Sequence, residues 1–203
     1  MTTPAPEALL ALDTAAQDLL FREARTANTF STEPVGDDQL RAVYDLVKWA
    51  PTAMNMQPLR IVAVRSPQGK ERLAPLMSEG NRAKTVAAPL TLIAAADEDF
   101  HEHLPVTFPH REGAREAMAG NPKRPELARF NATLQLGYLI LGIRAAGLAA
   151  GPMTGFDADA VEKEFFPQGD VRPIAMINVG RPGRDAWFAR NPRLDYESVV
   201  TTV

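Results

Sequence analysis

The chain has 203 residues, one domain's length with room for a sizeable core. Its net charge of −3 argues against a general nucleic-acid binder. The absence of cysteine excludes disulfides, thiol catalysis and Cys-based zinc or iron–sulfur centres, and fits a reducing cytoplasm.

Hydrophobic residues make up 45% and charged residues 23%, as in ordinary soluble proteins, and no stretch has the length of uncharged apolar sequence that a membrane span needs. The opening MTTPAPEALLALD lacks a basic n-region and a long apolar run, so no signal peptide is expected. Leu9, Leu12, Ala16, Leu19 and Leu20 have helical spacing and predict a helix within 5–25. The polar run Arg25-Thr26-Ala27-Asn28-Thr29-Phe30 follows. Pro34 and Gly36 break the chain, and Asp37 is placed as the N-cap of a helix with Leu40, Val43, Tyr44 and Val47 on one face.

The stretch 48–64, KWAPTAMNMQPLRIVAV, is the sharpest local feature. Pro51 and Pro58 cannot share one helix or one central strand. Helix therefore gives way to a loop with Asn55 and Gln57 at its tip, and then to an apolar strand over 61–64. Such a corner can hold a planar polar ligand against the end of a sheet, or can be a plain surface connection.

A turn over 66–70 and a short helix over 71–77 lead to Gly80-Asn81-Arg82-Ala83-Lys84, and 90–95 reads as a buried strand. Residues 97–125 hold all three histidines and four prolines. They read as a long irregular excursion with one helix near 111–118, and an excursion of that length is often functional. The strongest helix signal is 126–146. Phe130, Leu134, Tyr138, Leu141 and Ala145 share one face, and Leu136, Leu139, Ile140 and Ile143 make it apolar nearly all round. That predicts burial in a large core or against a partner subunit. Gly147 is its stop. Gly151-Pro152-Met153-Thr154-Gly155-Phe156 reads as a tight loop, 159–165 as a short helix and 174–179 as a strand. The tail 185–203 ends in Val199-Val200-Thr201-Thr202-Val203, strand-like and suited to pairing on another element or subunit. Three strands separated by helices, without strict βαβ alternation, make the expected class α+β, as one domain over 1–203.

Little conventional chemistry survives inspection. His101-Glu102-His103, with Asp97, Asp99 and His110 nearby, could suggest a metal, but in an irregular loop a solvated cluster is favoured and no metal is expected. There is no G-x-S-x-G elbow, and the glycines at 147, 151 and 155 match neither G-x-G-x-x-G nor a P-loop. What remains is a set of polar and basic clusters: Arg25, Thr26 and Asn28; Asn81 and Lys84; Arg190 and Arg193. The arginine fork suits a phosphate. Each cluster alone is more often a solvated face; their joint appearance is more telling.

Together these pieces resemble the nitroreductase family of flavin enzymes. Ala50-Pro51-Thr52-Ala53-Met54-Asn55-Met56-Gln57-Pro58 resembles its A-P-S/T-x-x-N-x-Q-P segment, and Arg25 to Phe30 its flavin-phosphate motif. Gly151 to Asp157 resembles its loop against the flavin ring, and Asn191-Pro192-Arg193-Leu194 its C-terminal phosphate stretch. Within the family, Lys48-Trp49-x-Pro51-Thr52, Phe108-Pro109-His110 and Arg190-x-Pro192-Arg193-Leu194 look most like the malonic semialdehyde reductase group.

The resemblance implies a mixed, mainly antiparallel sheet flanked by helices, extended by a C-terminal arm (185–203) exchanged in a homodimer. It implies two FMN molecules at the subunit interface and ping-pong hydride transfer from NADH or NADPH, with no nucleic-acid or membrane partner. Arg25, Thr26, Asn28, Arg193 and Arg190 would meet the phosphate. Pro51, Thr52, Asn55 and Gln57 would reach the ring, in part across the interface. Asn81 and Lys84 would address its pyrimidine edge. Pro152, Met153, Thr154 and Gly155 would lie against it, with the N–H groups of Thr154 and Gly155 facing N5 and O4. Phe108, His110 and Arg111 would meet the substrate. No dedicated acid for an aldehyde oxygen is evident. The alternatives are a broad nitroaromatic or quinone reductase, a non-catalytic flavin-binding relative, and an interaction protein in which the corner is a plain loop.

Overall fold

The computed structural model describes residues 10–203. The part of the N-terminal helix reading that covers 5–9, and the opening residues read as lacking a leader, lie outside them. Four strands, β1 (Leu59–Val64), β2 (Leu90–Asp97), β3 (Ala149–Met153) and β4 (Val171–Gly180), form one sheet in the order β1-β2-β4-β3. Every neighbouring pair in it is antiparallel. The helices are α1 (Thr14–Gln17), α2 (Asp37–Val47), α3 (Pro67–Leu73), α4 (Glu79–Ala87), α5 (Leu104–Thr107), α6 (Ala114–Ala119), α7 (Arg124–Ala145), α8 (Ala158–Phe165) and α9 (Tyr196–Val199). Among the described residues no helix is long and apolar enough to cross a membrane.

The central strand β2 is buried along its whole length. Successive strand side chains point to opposite faces. Leu90 and Leu92 pack with Val43 and Val47 of α2 and Leu139 and Ile143 of α7. Ile93 packs the other way, with Leu73 of α3, Val161 of α8 and Met176. The domain is therefore a sheet with helices on both faces, the expected α+β arrangement. The long helix α7 lies across the sheet, with Ala128, Asn131, Ala132, Gln135, Leu139, Gly142 and Ile143 on its buried side. A Cβ at Gly142 would stand 2.2 Å from a Val47 methyl, so glycine is what lets α2 and α7 meet.

Several local expectations change for physical reasons. The 66–70 turn is the start of α3: the Ser66 hydroxyl accepts from the Gly69 N–H at 3.1 Å and Pro67 opens the helix. Asp37 is not a cap; Gly36 holds that place and the Asp37 carboxylate pairs with Arg65 at 2.6 Å. The tight loop expected from Gly151 is in part a strand, β3. Pro152 is tolerated there because β3 is an edge strand. The N-terminal helix is one turn of α-helix followed by a π-helical turn at Asp18–Arg22.

The excursion over 97–125 is largely helical. A 3₁₀ turn at Phe100–His103 precedes α5 and α6, and Phe100, Leu104, Ala114 and Met118 are buried together under α7. The helix expected near 111–118 is α6, whereas the helical spacing 100/104 was masked by the prolines around it. His101 is buried, against the expectation of a solvated loop. Among the described residues no three His, Asp or Glu side chains gather as a metal set.

Two expected apolar surfaces find no cover within one chain. On the outer side of α7, Phe130 is 64%, Leu134 43% and Tyr138 43% exposed. The tail carries exposed Leu194, Tyr196, Val199 and Val200, and residues 200–203 make no strand with the rest of the chain.

Candidate functional site

The segment Arg25–Asn28 runs beside β3. The Ala27 N–H donates to the Ala150 carbonyl and the Asn28 N–H to the Ala186 carbonyl, each at 3.0 Å. Gly151 permits this, because a Cβ there would lie 2.7 Å from the Ala27 carbonyl oxygen. The returning tail thus lies alongside the motif, and a cleft of about 310 Å³ opens between them. Arg25, Thr26, Asn28, Arg190 and Arg193 line it, all five expected from the sequence. The Arg25 guanidinium donates to the Phe188 carbonyl at 3.2 Å and stacks 5.9 Å from the Trp187 ring. Arg190 donates to the Ala24 carbonyl at 3.4 Å, and Arg193 to the Asn191 carbonyl at 2.9 Å. Among the described residues none of these guanidiniums has a carboxylate partner, whereas Arg60, Arg65, Arg72, Arg115, Arg172 and Arg181 all do. A cleft walled by unpaired guanidiniums is built for an anion. Arg144, absent from the sequence expectations, lines the same cleft from the last turn of α7.

From Ala150, β3 leads to Met153, roughly 10 Å along a strand, and on to Thr154 and Gly155. Here Asn81 of α4 reaches over: its Nδ2 donates to the Gly155 carbonyl at 2.9 Å, and the Ser78 N–H donates to the same oxygen at 3.0 Å. Lys84 lies three residues further along α4, on the same helix face and half-buried. Pro152 is half-buried, Met153 buried and Thr154 exposed. The edge at β3 therefore offers a basic end and a carboxamide-and-lysine end, suited to an elongated ligand with an anion at one tip and a polar planar group at the other.

The corner is real. Its tip is a 3₁₀ turn at Ala53–Asn55, and Met54, Asn55 and Gln57 have φ of 50°, 49° and 47°. Left-handed backbone at non-glycine residues costs roughly 1–3 kcal/mol each, so the surroundings must over-determine it. The Thr52 hydroxyl accepts from the Gln57 N–H at 3.2 Å. Asn55 donates to the Thr107 carbonyl at 2.8 Å and accepts from the Gln57 carboxamide at 2.9 Å. Two α7 side chains that sequence reasoning missed complete the grip: Asn131 accepts from the Ala53 N–H at 2.8 Å and Gln135 from the Leu59 N–H at 2.9 Å. Two carboxamides four residues apart on the inner face of an apolar helix were the available signal. Through Thr107 the corner also fixes the loop with Phe108 and His110, whose rings meet at 4.0 Å. Pro51, His110 and Arg111 are exposed beside them.

One separation matters. The corner feeds β1 and the basic cleft lies along β3, and these are the two edge strands of the sheet. Three strand spacings, about 14 Å, stand between them. Within one chain the sequence-expected residues therefore form two half-sites rather than one.

The nitroreductase family matches residues 21–181, a span that includes Arg25, the corner and Gly155. A Streptomyces coelicolor protein with the provisional name NADH dehydrogenase/NAD(P)H nitroreductase is 60% identical over 195 residues, 96% of this chain and 99% of its own. The fold is shared with a provisionally named nitroreductase of Bacillus subtilis at TM-score 0.82 and 23% identity, covering 94% of this chain and 100% of that one. It is shared too with an Exiguobacterium sibiricum protein crystallised in complex with FMN, at TM-score 0.81 and 18% identity over 94% of this chain and 98% of that one. Fold, ordered motifs and close relatives agree: the chain belongs to the nitroreductase family.

Proposed function

We propose that the protein is an FMN-dependent NAD(P)H oxidoreductase. It works as a cytoplasmic homodimer by ping-pong hydride transfer, with a small aldehyde acid such as malonic semialdehyde as acceptor and 3-hydroxypropionate as product. The observation that carries this reading is the cleft of unpaired arginines joined by β3 to the Asn81–Gly155 contact. FMN has that form, with a phosphate at one end and a planar ring with a pyrimidine edge at the other. The fit extends to detail. The Arg25 Nε, at the basic cleft, is buried without a partner.

When bound, FMN supplies the two-electron chemistry that no side chain here can. The chain's own residues bind and orient. Arg25, Arg190 and Arg193, with Thr26 and Asn28, neutralise the phosphate. Asn81 presents a carboxamide to the pyrimidine edge, and Lys84 adds a cation that favours negative charge there. Thr52, Asn55 and Gln57 reach the ring from the corner of the second copy, which accounts for two half-sites at opposite edges. The exposed faces of α7 and the tail supply apolar surface for that pairing. Phe108 and His110 shape the loop beside the corner, and Arg111, exposed and without a carboxylate partner among the described residues, is placed to take the acceptor's carboxylate.

The test is anaerobic reduction of the purified protein by NADH and by NADPH, then reoxidation by malonic semialdehyde, a nitroaromatic and a quinone. Yellow protein bleached by a nicotinamide and reoxidised fastest by the aldehyde is the expected result. Colourless protein that does not take up added FMN defeats the proposal. Faster reoxidation by the nitroaromatic or quinone removes only the acceptor assignment. Bound flavin without turnover marks a non-catalytic relative.

A further inference from the structure

The structure brings one more cation to the basic cleft than the sequence motifs do. Arg144 stands in the last turn of α7, outside every segment that resembles a flavin motif. With Ala24 and Arg25 it lines both the 310 Å³ cleft and an adjoining cavity of about 190 Å³. Its guanidinium makes one hydrogen bond, from Nη1 to the Leu20 carbonyl at 3.3 Å, and its Nε is buried without a partner. Among the described residues it has no ion pair. Asp18 and Glu23 line the adjoining cavity, but the Asp18 carboxylate pairs with Arg22 at 3.6 Å.

Arg144 is half-buried, and a guanidinium whose Nε is shut off from water without a partner carries a desolvation cost that an anion at the cleft would offset. Burial weakens its hold on the proton, the same cost seen from the other side. Its mounting also differs from that of the tail arginines. Arg190 and Arg193 sit on exposed chain outside any helix or strand, whereas Arg144 projects from a 22-residue helix packed on the sheet. A cation on so rigid a base is preorganised for its ligand.

We infer that Arg144 is a further phosphate-binding residue, meeting the FMN phosphate together with Arg25 from the helix side of the cleft. The inference rests on the proposed FMN reading, so its test must separate the two. Riboflavin has the ring and ribityl chain of FMN and lacks only the phosphate. Apoprotein of the wild type, Arg144→Met and Arg144→Lys is titrated with each flavin by fluorescence quenching, at low and high salt.

Arg144→Met is expected to weaken FMN about 10- to 100-fold, the size of a charge-assisted contact, and to leave riboflavin affinity within about twofold. The salt dependence of FMN binding should flatten in the same variant. Arg144→Lys keeps the stem and the charge, so it guards against a folding defect; its FMN affinity should fall between the other two, with riboflavin unchanged. Equal loss of both flavins in Arg144→Lys, or no loss of FMN in Arg144→Met, overturns the inference and leaves the FMN reading standing. A wild type that binds neither flavin overturns both.

Discussion

The side-chain oxygen of Asn131 accepts a hydrogen bond from the backbone N–H of Ala53 at 2.8 Å, joining the middle of α7 to the tip of the corner. Asn131 is 1% exposed, and its Nδ2 is committed to the Leu127 carbonyl at 2.9 Å, so its orientation is fixed. Replacing it with leucine strands a partly buried N–H beside three left-handed residues. Asn131→Leu is expected to lower the unfolding free energy by about 1–3 kcal/mol, measured by urea denaturation of the apoprotein. It should also weaken flavin binding, because the corner relaxes. Unchanged stability and unchanged flavin affinity would remove the role assigned to this contact.

How far the sequence reached can be judged at the same place. The two prolines and the amides at 55 and 57 announced the corner, because proline geometry is local and independent of context. The grip from Asn131 and Gln135 was hidden because it depends on which face of α7 meets the sheet, and that face is chosen by packing across the domain. Arg25, Arg190 and Arg193 were legible from the residues only as separate clusters, and the family resemblance alone joined them at one phosphate. That they share a cleft follows from the tail folding back along Ala27–Asn28, a long-range pairing with no local signature. The helix expected near 111–118 stands as α6 at Ala114–Ala119, but the 3₁₀ turn at Phe100–His103 and α5 were missed, because Pro105 sits where proline is harmless, in the first turn of α5.

Gly155 and Asn81 form the second contact that can be tested. A Cβ at Gly155 would stand 2.7 Å from the Asn81 Nδ2 and 3.1 Å from the Ser78 hydroxyl. Gly155→Ala should swing the Asn81 carboxamide away and break its bond to the Gly155 carbonyl. The expected result is roughly tenfold weaker flavin binding with a stability change within about 1 kcal/mol. Isothermal titration and thermal unfolding on the same samples check both. A large stability loss with unchanged affinity would mean the contact is structural only.

Lys70 carries a pH dependence away from the site. Its buried amine donates to the Thr85 carbonyl at 2.7 Å and to the Thr91 hydroxyl at 2.6 Å, and that hydroxyl donates on to Asn178 at 2.7 Å. No carboxylate meets it among the described residues, and burial pulls its pKa from 10.5 down to about 8. Between those values the unfolded chain holds a proton that the folded chain has lost. The stability due to Lys70 therefore rises with pH through that window, and below it the cost of the buried charge is fully present. Against Lys70→Met, which does not titrate, the wild type should gain on the order of 1 kcal/mol between pH 7 and 9.5, allowing for solvent screening. Urea denaturation at both values decides it. A constant difference, or one of opposite sign, would show that the amine stays charged.

The separation of the half-sites leads to the last prediction. If one flavin needs the basic edge of one copy and the corner of another, a dimer-breaking change far from both should empty the site. Leu134 is the place to make it. It lies on the outer face of α7 with Phe130 and Tyr138, is not among the residues proposed to hold the flavin, and is 43% exposed in the single chain. A charge there leaves the inner face of α7 intact, so Leu134→Glu should keep the folded domain while burying an unpaired carboxylate in any interface built on this face. Sedimentation should show a dimeric wild type and a monomeric variant. FMN affinity should fall by at least about tenfold while far-ultraviolet circular dichroism stays the same. A monomeric variant that keeps full flavin affinity would mean that one chain assembles the whole site, and the corner would lose its place at the ring.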